Sequence, residues 1–163
     1  MDIKRVDHSS IRTRDLASSK RFYTEVIGLR EGPRPPFDFP GYWLYSGEPP
    51  LDLHNSARNY GLVHLMGWDD ANPGSLDAYV GARKVSEEGG TGALDHVAFA
   101  ATGREAMLER CQRLNVTYHE RAVPMLGLHQ VFIQDPDGVT IELNYPASEV
   151  PKSQSAAASS LAR

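Results

Sequence analysis

The chain of 163 residues holds a single cysteine, Cys111. One thiol excludes an intramolecular disulfide framework and any multi-cysteine zinc site. Cys111 falls in a helical pattern, where a buried reduced thiol accounts for it. Positive charge is also scarce, with 17 Lys and Arg against 21 Asp and Glu and a formal net charge of -4. That balance provides no broad basic face for nucleic acid, so the expected partner is a small molecule. No apolar run approaches membrane-spanning length, and Met1-Asp2-Ile3-Lys4-Arg5 lacks the apolar core typical of a signal peptide. No membrane association and a cytoplasmic location are the corresponding expectations. What is present is a 40% apolar share, enough to bury a core in one compact domain or two small, closely packed ones.

The dipeptide Asp-His occurs twice, as Asp7-His8 and Asp95-His96, and each copy opens a stretch of the same design. The first leads to Leu62-Val63-His64-Leu65 and the second to Thr140-Ile141-Glu142-Leu143. An internal repeat of this kind fixes how a fold is assembled and points to a metal held between two half-domains. Periodicity strengthens the reading. Ile3 to Ile11 favours a strand, and Asp15 caps a helix bearing Leu16, Phe22, Tyr23 and Val26, which Gly28 stops. In the second copy Leu94 to Ala100 reads as a strand and Thr102-Gly103 as a break. Ala106, Met107, Cys111 and Leu114 form the buried stripe of a helix that Asn115 stops. Three strands follow in each: Leu29 to Gly32, Tyr42 to Tyr45 and Leu62 to Met66, against Val116 to Val123, Leu128 to Ile133 and Val139 to Tyr145. The order is βαβββ, twice, an α+β chain. The modules span 1–68 and 93–146, joined by an exposed connector at 69–92 that has room for a short helix and followed by a flexible tail at 147–163. The first copy is about ten residues longer, and the surplus lies between Gly47 and Tyr60, as a lid or a long hairpin end.

Strand parity tests whether the repeated residues can meet. His8 and His64 in one copy, and His96 and Glu142 in the other, sit at matching places on first and last strands. If those strands neighbour each other, each pair points into one concavity. The same parity turns Asp7 and Asp95 away from their histidines, making the dipeptide a marker of module starts. Imidazole and carboxylate donors suit Zn, Fe, Ni, Co or Mn, and a mixed nitrogen and oxygen site that keeps positions open reads as catalytic.

Several segments together resemble the vicinal oxygen chelate superfamily of glyoxalases, bleomycin resistance proteins and extradiol dioxygenases. They are Asp7-His8, Asp15-Leu16 with Ser19 and Phe22-Tyr23, Val26-Ile27-Gly28-Leu29, Asp95-His96-Val97-Ala98-Phe99, and Asp135-Pro136-Asp137-Gly138 with Ile141-Glu142-Leu143. The likeness covers about residues 2 to 146. It implies two βαβββ modules forming an incomplete barrel around one divalent metal ion, and a homodimer. It implies His8, His96 and Glu142 as metal ligands. His64 stands where glyoxalase I and methylmalonyl-CoA epimerase relatives place a glutamate or glutamine, which makes it the fourth candidate.

Within that superfamily the expected chemistry is a glyoxalase- or epimerase-like lyase or isomerase acting on a small oxygen-bearing substrate. There a divalent ion polarises a carbonyl and stabilises an enediolate, while Glu142 or a metal-bound hydroxide moves a proton. A bound carboxylate is a weak base, so Glu142 in that role needs displacement or a supporting partner. An extradiol ring-cleaving dioxygenase is the alternative. It asks for a tyrosine where Phe132 stands, and His129 faces away from Phe132 and Gln130. A drug- or ligand-sequestering protein of the bleomycin resistance type would lack the ligands present here. A fosfomycin-type metallotransferase would use the triad, but no potassium-binding loop is recognisable. Arg121, Gln130 and Phe132 are candidates to line the substrate cavity, although Arg121 also suits an exposed position. Phe37, Phe39, Tyr42, Trp43 and Tyr45 either wall the metal site or fill the first core. His54 and His119 receive no role. The Asp135-Pro136-Asp137-Gly138 turn has its own backbone logic and its acids need not be catalytic.

Overall fold

The structure, a computed structural model, describes residues 6–53, 61–80 and 94–150, without the side chains of residues 79, 80 and 125. The expected strand residues 3–5, the end of the long insertion with His54, the connector from 81 to 92 and the tail from 151 lie outside the described residues. The chain divides into two compact units, Met1–Glu87 and Glu88–Arg163. Each carries βαβββ order and an open, four-stranded mixed sheet, so the fold class is α+β as expected.

In the first unit β1 (Ser9–Thr13) leads into α1 (Leu16–Arg21), then β2 (Arg30–Gly32), β3 (Gly41–Tyr45) and β4 (Val63–Gly67), in the spatial order β1-β4-β3-β2. Asp15 caps α1 by accepting from the Ser18 amide at 2.9 Å and the Ser18 hydroxyl at 2.7 Å. Those bonds hold its carboxyl below its ordinary value. The helix continues through one π-helical turn, Phe22–Val26, closed by the Ile27 amide on the Phe22 carbonyl at 3.1 Å. Phe22, Tyr23 and Val26 are all buried along this turn. Gly28, at φ 88°, reverses the chain into β2. β1 pairs parallel with β4 and the other neighbours are antiparallel, so Ile11, Leu65 and Tyr42 share the face that packs on α1. Ser10, His64 and Trp43 share the other.

The connector was expected to be exposed, with a possible short helix. It does contain a helix, α2 (Ser75–Val80), but Leu76 there is buried and Asp77 pairs with Arg12 of β1 at 3.0 Å. A buried apolar anchor and an ion pair attach this stretch to the first sheet, so exposure does not describe all of it.

The second unit runs β5 (His96–Ala100), α3 (Arg104–Arg113), β6 (Tyr118–Val123), β7 (Leu128–Gln134) and β8 (Thr140–Pro146), ordered β5-β8-β7-β6. Met107 and Cys111 of α3 are buried, as are Val131, Ile133, Ile141, Leu143 and Tyr145 on one sheet face. Burial pushes up the Cys111 thiol, and it pushes the Tyr145 phenol up to about 12. Asn115 at φ 53° ends α3 where expected. Ala147–Glu149, expected to begin the flexible tail, form a short helical turn instead. Glu149 accepts from the amides of Gly103 and Arg104 at 2.8 and 2.9 Å, capping α3 with a carboxylate.

Candidate metal and substrate site

Both units bring their first and last strands side by side in parallel, the arrangement that the repeated residues require. In the second unit Ala98 pairs with Glu142, and His96 lies one pleat repeat earlier on the same face. His96 Nε2 stands 3.3 Å from Glu142 Oε2. His96 Nδ1 is held by Asp95 at 2.7 Å. An ionised carboxylate only accepts, so in the neutral ring the Asp95 contact favours the tautomer with its proton on Nδ1 and its lone pair on Nε2. Two acceptors then face each other, and only a cation or a proton between them relieves that arrangement. At 3.3 Å the pair is longer than an ordinary N–H···O bond. It matches the separation of about 3.3 to 3.6 Å expected for two donors at metal-ligand distance in tetrahedral geometry.

Glu142 is fixed from its other oxygen. Oε1 accepts from Gln130 Nε2 at 2.8 Å and from Asn144 Nδ2 at 2.7 Å. Gln130 is itself oriented by Arg121, whose Nε and terminal nitrogen donate to its amide oxygen at 2.9 and 2.6 Å. The amide end of Gln130 is thereby turned toward Glu142 and Asn144, the latter at 2.9 Å. Arg121 and Gln130, expected to touch substrate, thus form a relay that aims a carboxylate. Phe132 pairs with Glu142 across the sheet and meets His96 edge-on at 6.3 Å. Its ring stacks on His119, which the sequence reading left without a role, at 4.6 Å.

The first unit treats its pair differently. His8 precedes β1, and its Nδ1 lies 3.1 Å from Asp7. Its ring stacks on His64 at 4.1 Å and 21°, and His64 stacks on Trp43 at 4.2 Å and 7°. Imidazole lone pairs lie in the ring plane. Stacked rings therefore present them side by side, and convergence of both on one ion at about 2.0 to 2.1 Å requires a ring to rotate. The first pair does not fit a shared metal as it stands, whereas the second pair does. Among the described residues no group of three His, Cys, Asp or Glu side chains is gathered closely enough to hold an ion.

One sequence expectation needs correction here. Strand parity turned Asp7 and Asp95 away from their histidines, but both reach Nδ1. Alternation governs residues within a strand, and each aspartate lies ahead of the strand start, where the pleat does not direct its side chain. The duplicated dipeptide itself was the signal that both members act. The aromatic residues divide between wall and core. Phe37, Phe39 and Trp43 line a cavity of about 230 Å³ with His8, Ser10 and His64, while Tyr45 is buried and donates to the Pro33 carbonyl at 2.7 Å. Asn144 was missed, although it shares the face of Glu142 by parity. The 135–138 turn behaves as expected, with Asp135 accepting from the Asp137 and Val139 amides.

Residues 5–143 match the model of the Glyoxalase/Bleomycin resistance protein/Dioxygenase superfamily, and the chain belongs to that superfamily. It is 26% identical over 141 residues to a probable lactoylglutathione lyase of Vibrio parahaemolyticus, covering 85% of this chain and 88% of that one. It is 24% identical over 143 residues to YwbC, an uncharacterized protein of Bacillus subtilis, covering 85% and 95%. Among solved structures, a lactoylglutathione lyase from Agrobacterium tumefaciens superposes with a TM-score of 0.58 at 16% identity, covering 89% and 96%. That likeness is one of fold.

Proposed function

We propose that this chain is a divalent-metal-dependent lyase or isomerase of the glyoxalase or epimerase kind, acting on a small carbonyl-bearing substrate. The observation that carries the reading is the facing of His96 Nε2 and Glu142 Oε2 at 3.3 Å, each backed by a partner that fixes its orientation. His96 and Glu142 are the metal donors of the second unit. His8 is the corresponding donor of the first, and His64 is the fourth, reached by turning its ring out of the stack. The ion, one of Zn, Fe, Ni, Co or Mn, supplies Lewis acidity toward a substrate carbonyl.

The chain's own contribution is to hold the carboxylate for proton transfer. Gln130 and Asn144 bind one oxygen of Glu142 and leave Oε2 directed at the reacting region, which provides the supporting partner that a carboxylate base needs. The relative named a probable lactoylglutathione lyase favours this branch. Ring cleavage is disfavoured by Phe132 at the place of the required tyrosine. It is further disfavoured by His129, which points to the opposite sheet face and binds Glu120 at 2.7 Å. A homodimer is the assembly that the superfamily suggests.

The test is metal analysis of the purified protein beside His8→Ala, His64→Ala, His96→Ala and Glu142→Ala variants, with turnover of the methylglyoxal–glutathione hemithioacetal followed in parallel. Metal lost in the His96 and Glu142 variants, with activity restored by adding a divalent ion to chelated wild type, supports the reading. Full metal retention in all four variants, or oxygen uptake with catechols by ferrous-loaded protein, overturns it.

A further inference from the structure

In both units an aromatic ring stands directly across the sheet from the acceptor on the last strand, Trp43 opposite His64 and Phe132 opposite Glu142. The two rings are used differently. Phe132 gives its face to His119 at 4.6 Å and lies under the Arg121 guanidinium at 5.2 Å, so it does not compete for the oxygens of Glu142. Trp43 lies against the acceptor itself. His64 is buried between the indole at 4.2 Å and the His8 ring at 4.1 Å. The indole is the braced member of that stack, because Phe37 lies against it at 6.3 Å and stacks in turn on buried Phe39 at 5.2 Å. His8 precedes β1 and its side chain is exposed, so it can leave the stack without moving a strand or a core residue. The cost of turning each ring follows. An imidazole binds an ion in its ring plane, and the His8 and His64 planes, 21° apart, do not meet at bonding distance of both. Turning His8 breaks only its contact with His64, whereas turning His64 breaks that contact and the one with Trp43.

We propose that Trp43 is a positioning residue that sets how many donors the first unit gives the ion: it holds His64 in the stack, so that His8 alone binds at rest and a coordination position is kept for substrate. The proposal rests on the reading of His8, His96 and Glu142 as metal donors. His64 becomes the fourth only when its indole contact is given up, and the adjoining cavity of about 230 Å³ has room for its ring to turn.

Cobalt(II) binding to the full chain is measured by competition with a chromophoric chelator, and the paramagnetically shifted proton signals of coordinated imidazoles report which histidines bind. Wild type should show signals that His8→Ala and His96→Ala remove. Trp43→Leu should add a signal that His64→Ala removes, and it should tighten binding about three- to tenfold, the range that one aromatic contact is worth. Trp43→Phe, which keeps a stacking face, should stay close to wild type in both readouts. In the otherwise wild-type chain His64→Ala should leave cobalt affinity nearly unchanged, whereas His8→Ala should lower it by more than about tenfold. A His64 signal in wild type, equal losses in His8→Ala and His64→Ala, or a Trp43→Leu variant that binds no more tightly overturns the proposal and leaves the metal site standing. Wild type that takes up no cobalt overturns the metal reading and the proposal with it.

Discussion

The two units share strand order and place their leading histidines at the same depth, with side-chain exposures of 38% for His8 and 37% for His96. Access therefore does not distinguish them; what the last strand offers each histidine does. In the second unit a carboxylate with one anchored oxygen meets the imidazole edge. In the first unit a second imidazole meets the ring face, and Trp43 stacks behind it. A carboxylate has no face to stack, so Glu142 can satisfy itself only at its oxygens. His64 has both a face and an edge, and an adjacent indole makes the face the better contact. The repeat thus preserved the scaffold while one substitution type changed the chemistry from donor pair to aromatic pile.

The largest break of this comparison comes from exchanging the acceptors. Glu142→His should give the second unit an imidazole at the same register position. It is expected to lower divalent-metal affinity strongly, read by competition with a chromophoric chelator, whereas His64→Glu should retain or increase that affinity. Equal losses in both would mean that the two positions are equivalent donors. Next in size is removal of the aspartates that hold Nδ1. Partners of this kind usually change metal affinity about 10- to 100-fold when lost. Asp95→Asn should reach that range by competition with a chromophoric chelator, while Asp7→Asn should have the smaller effect, since its contact is 3.1 Å against 2.7 Å. A smaller change still is expected from Trp43→Leu, which removes one stacking partner worth about 0.5 to 1.5 kcal/mol beyond its buried area. Chemical denaturation measures that loss, and metal content should not fall, because His64 is freed to turn.

Much of the fold was legible because the sequence states it twice. The helix cap at Asp15, the stops at Gly28 and Asn115, and the closing strands, expected over 128–133 and 139–145 and observed at 128–134 and 140–146, all follow local rules that hold in the structure. The match of His64 with Glu142 was likewise readable from register. Orientation was not. Whether an imidazole uses its edge or its face depends on the neighbouring strand, and Trp43 is 21 residues from His64 in sequence yet directly opposite it in the sheet. The contacts that Arg121 and Gln130 make were hidden for a related reason. Parity put them on one face with Glu142, but only the three-dimensional register shows that Gln130 reaches both Asn144 and Glu142.

The smallest expected effect separates the cores of the two units. Tyr45 and Tyr145 are both buried, and burial pushes both phenols up, Tyr145 to about 12. A phenol whose folded value is raised favours the protonated form in the native state. Its contribution to stability is complete below about pH 10, the unfolded value, and is lost as pH rises toward and through the folded one. Thermal melts of the wild type should therefore fall increasingly above about pH 10. Tyr145→Phe should flatten that alkaline decline with little change near neutrality. Tyr45→Phe should lower the melting temperature at every pH, because it abandons the hydrogen bond to Pro33, a loss of about 1 kcal/mol. If Tyr145→Phe leaves the alkaline slope unchanged while Tyr45→Phe flattens it, the pH-sensitive core belongs to the first unit and not to the second.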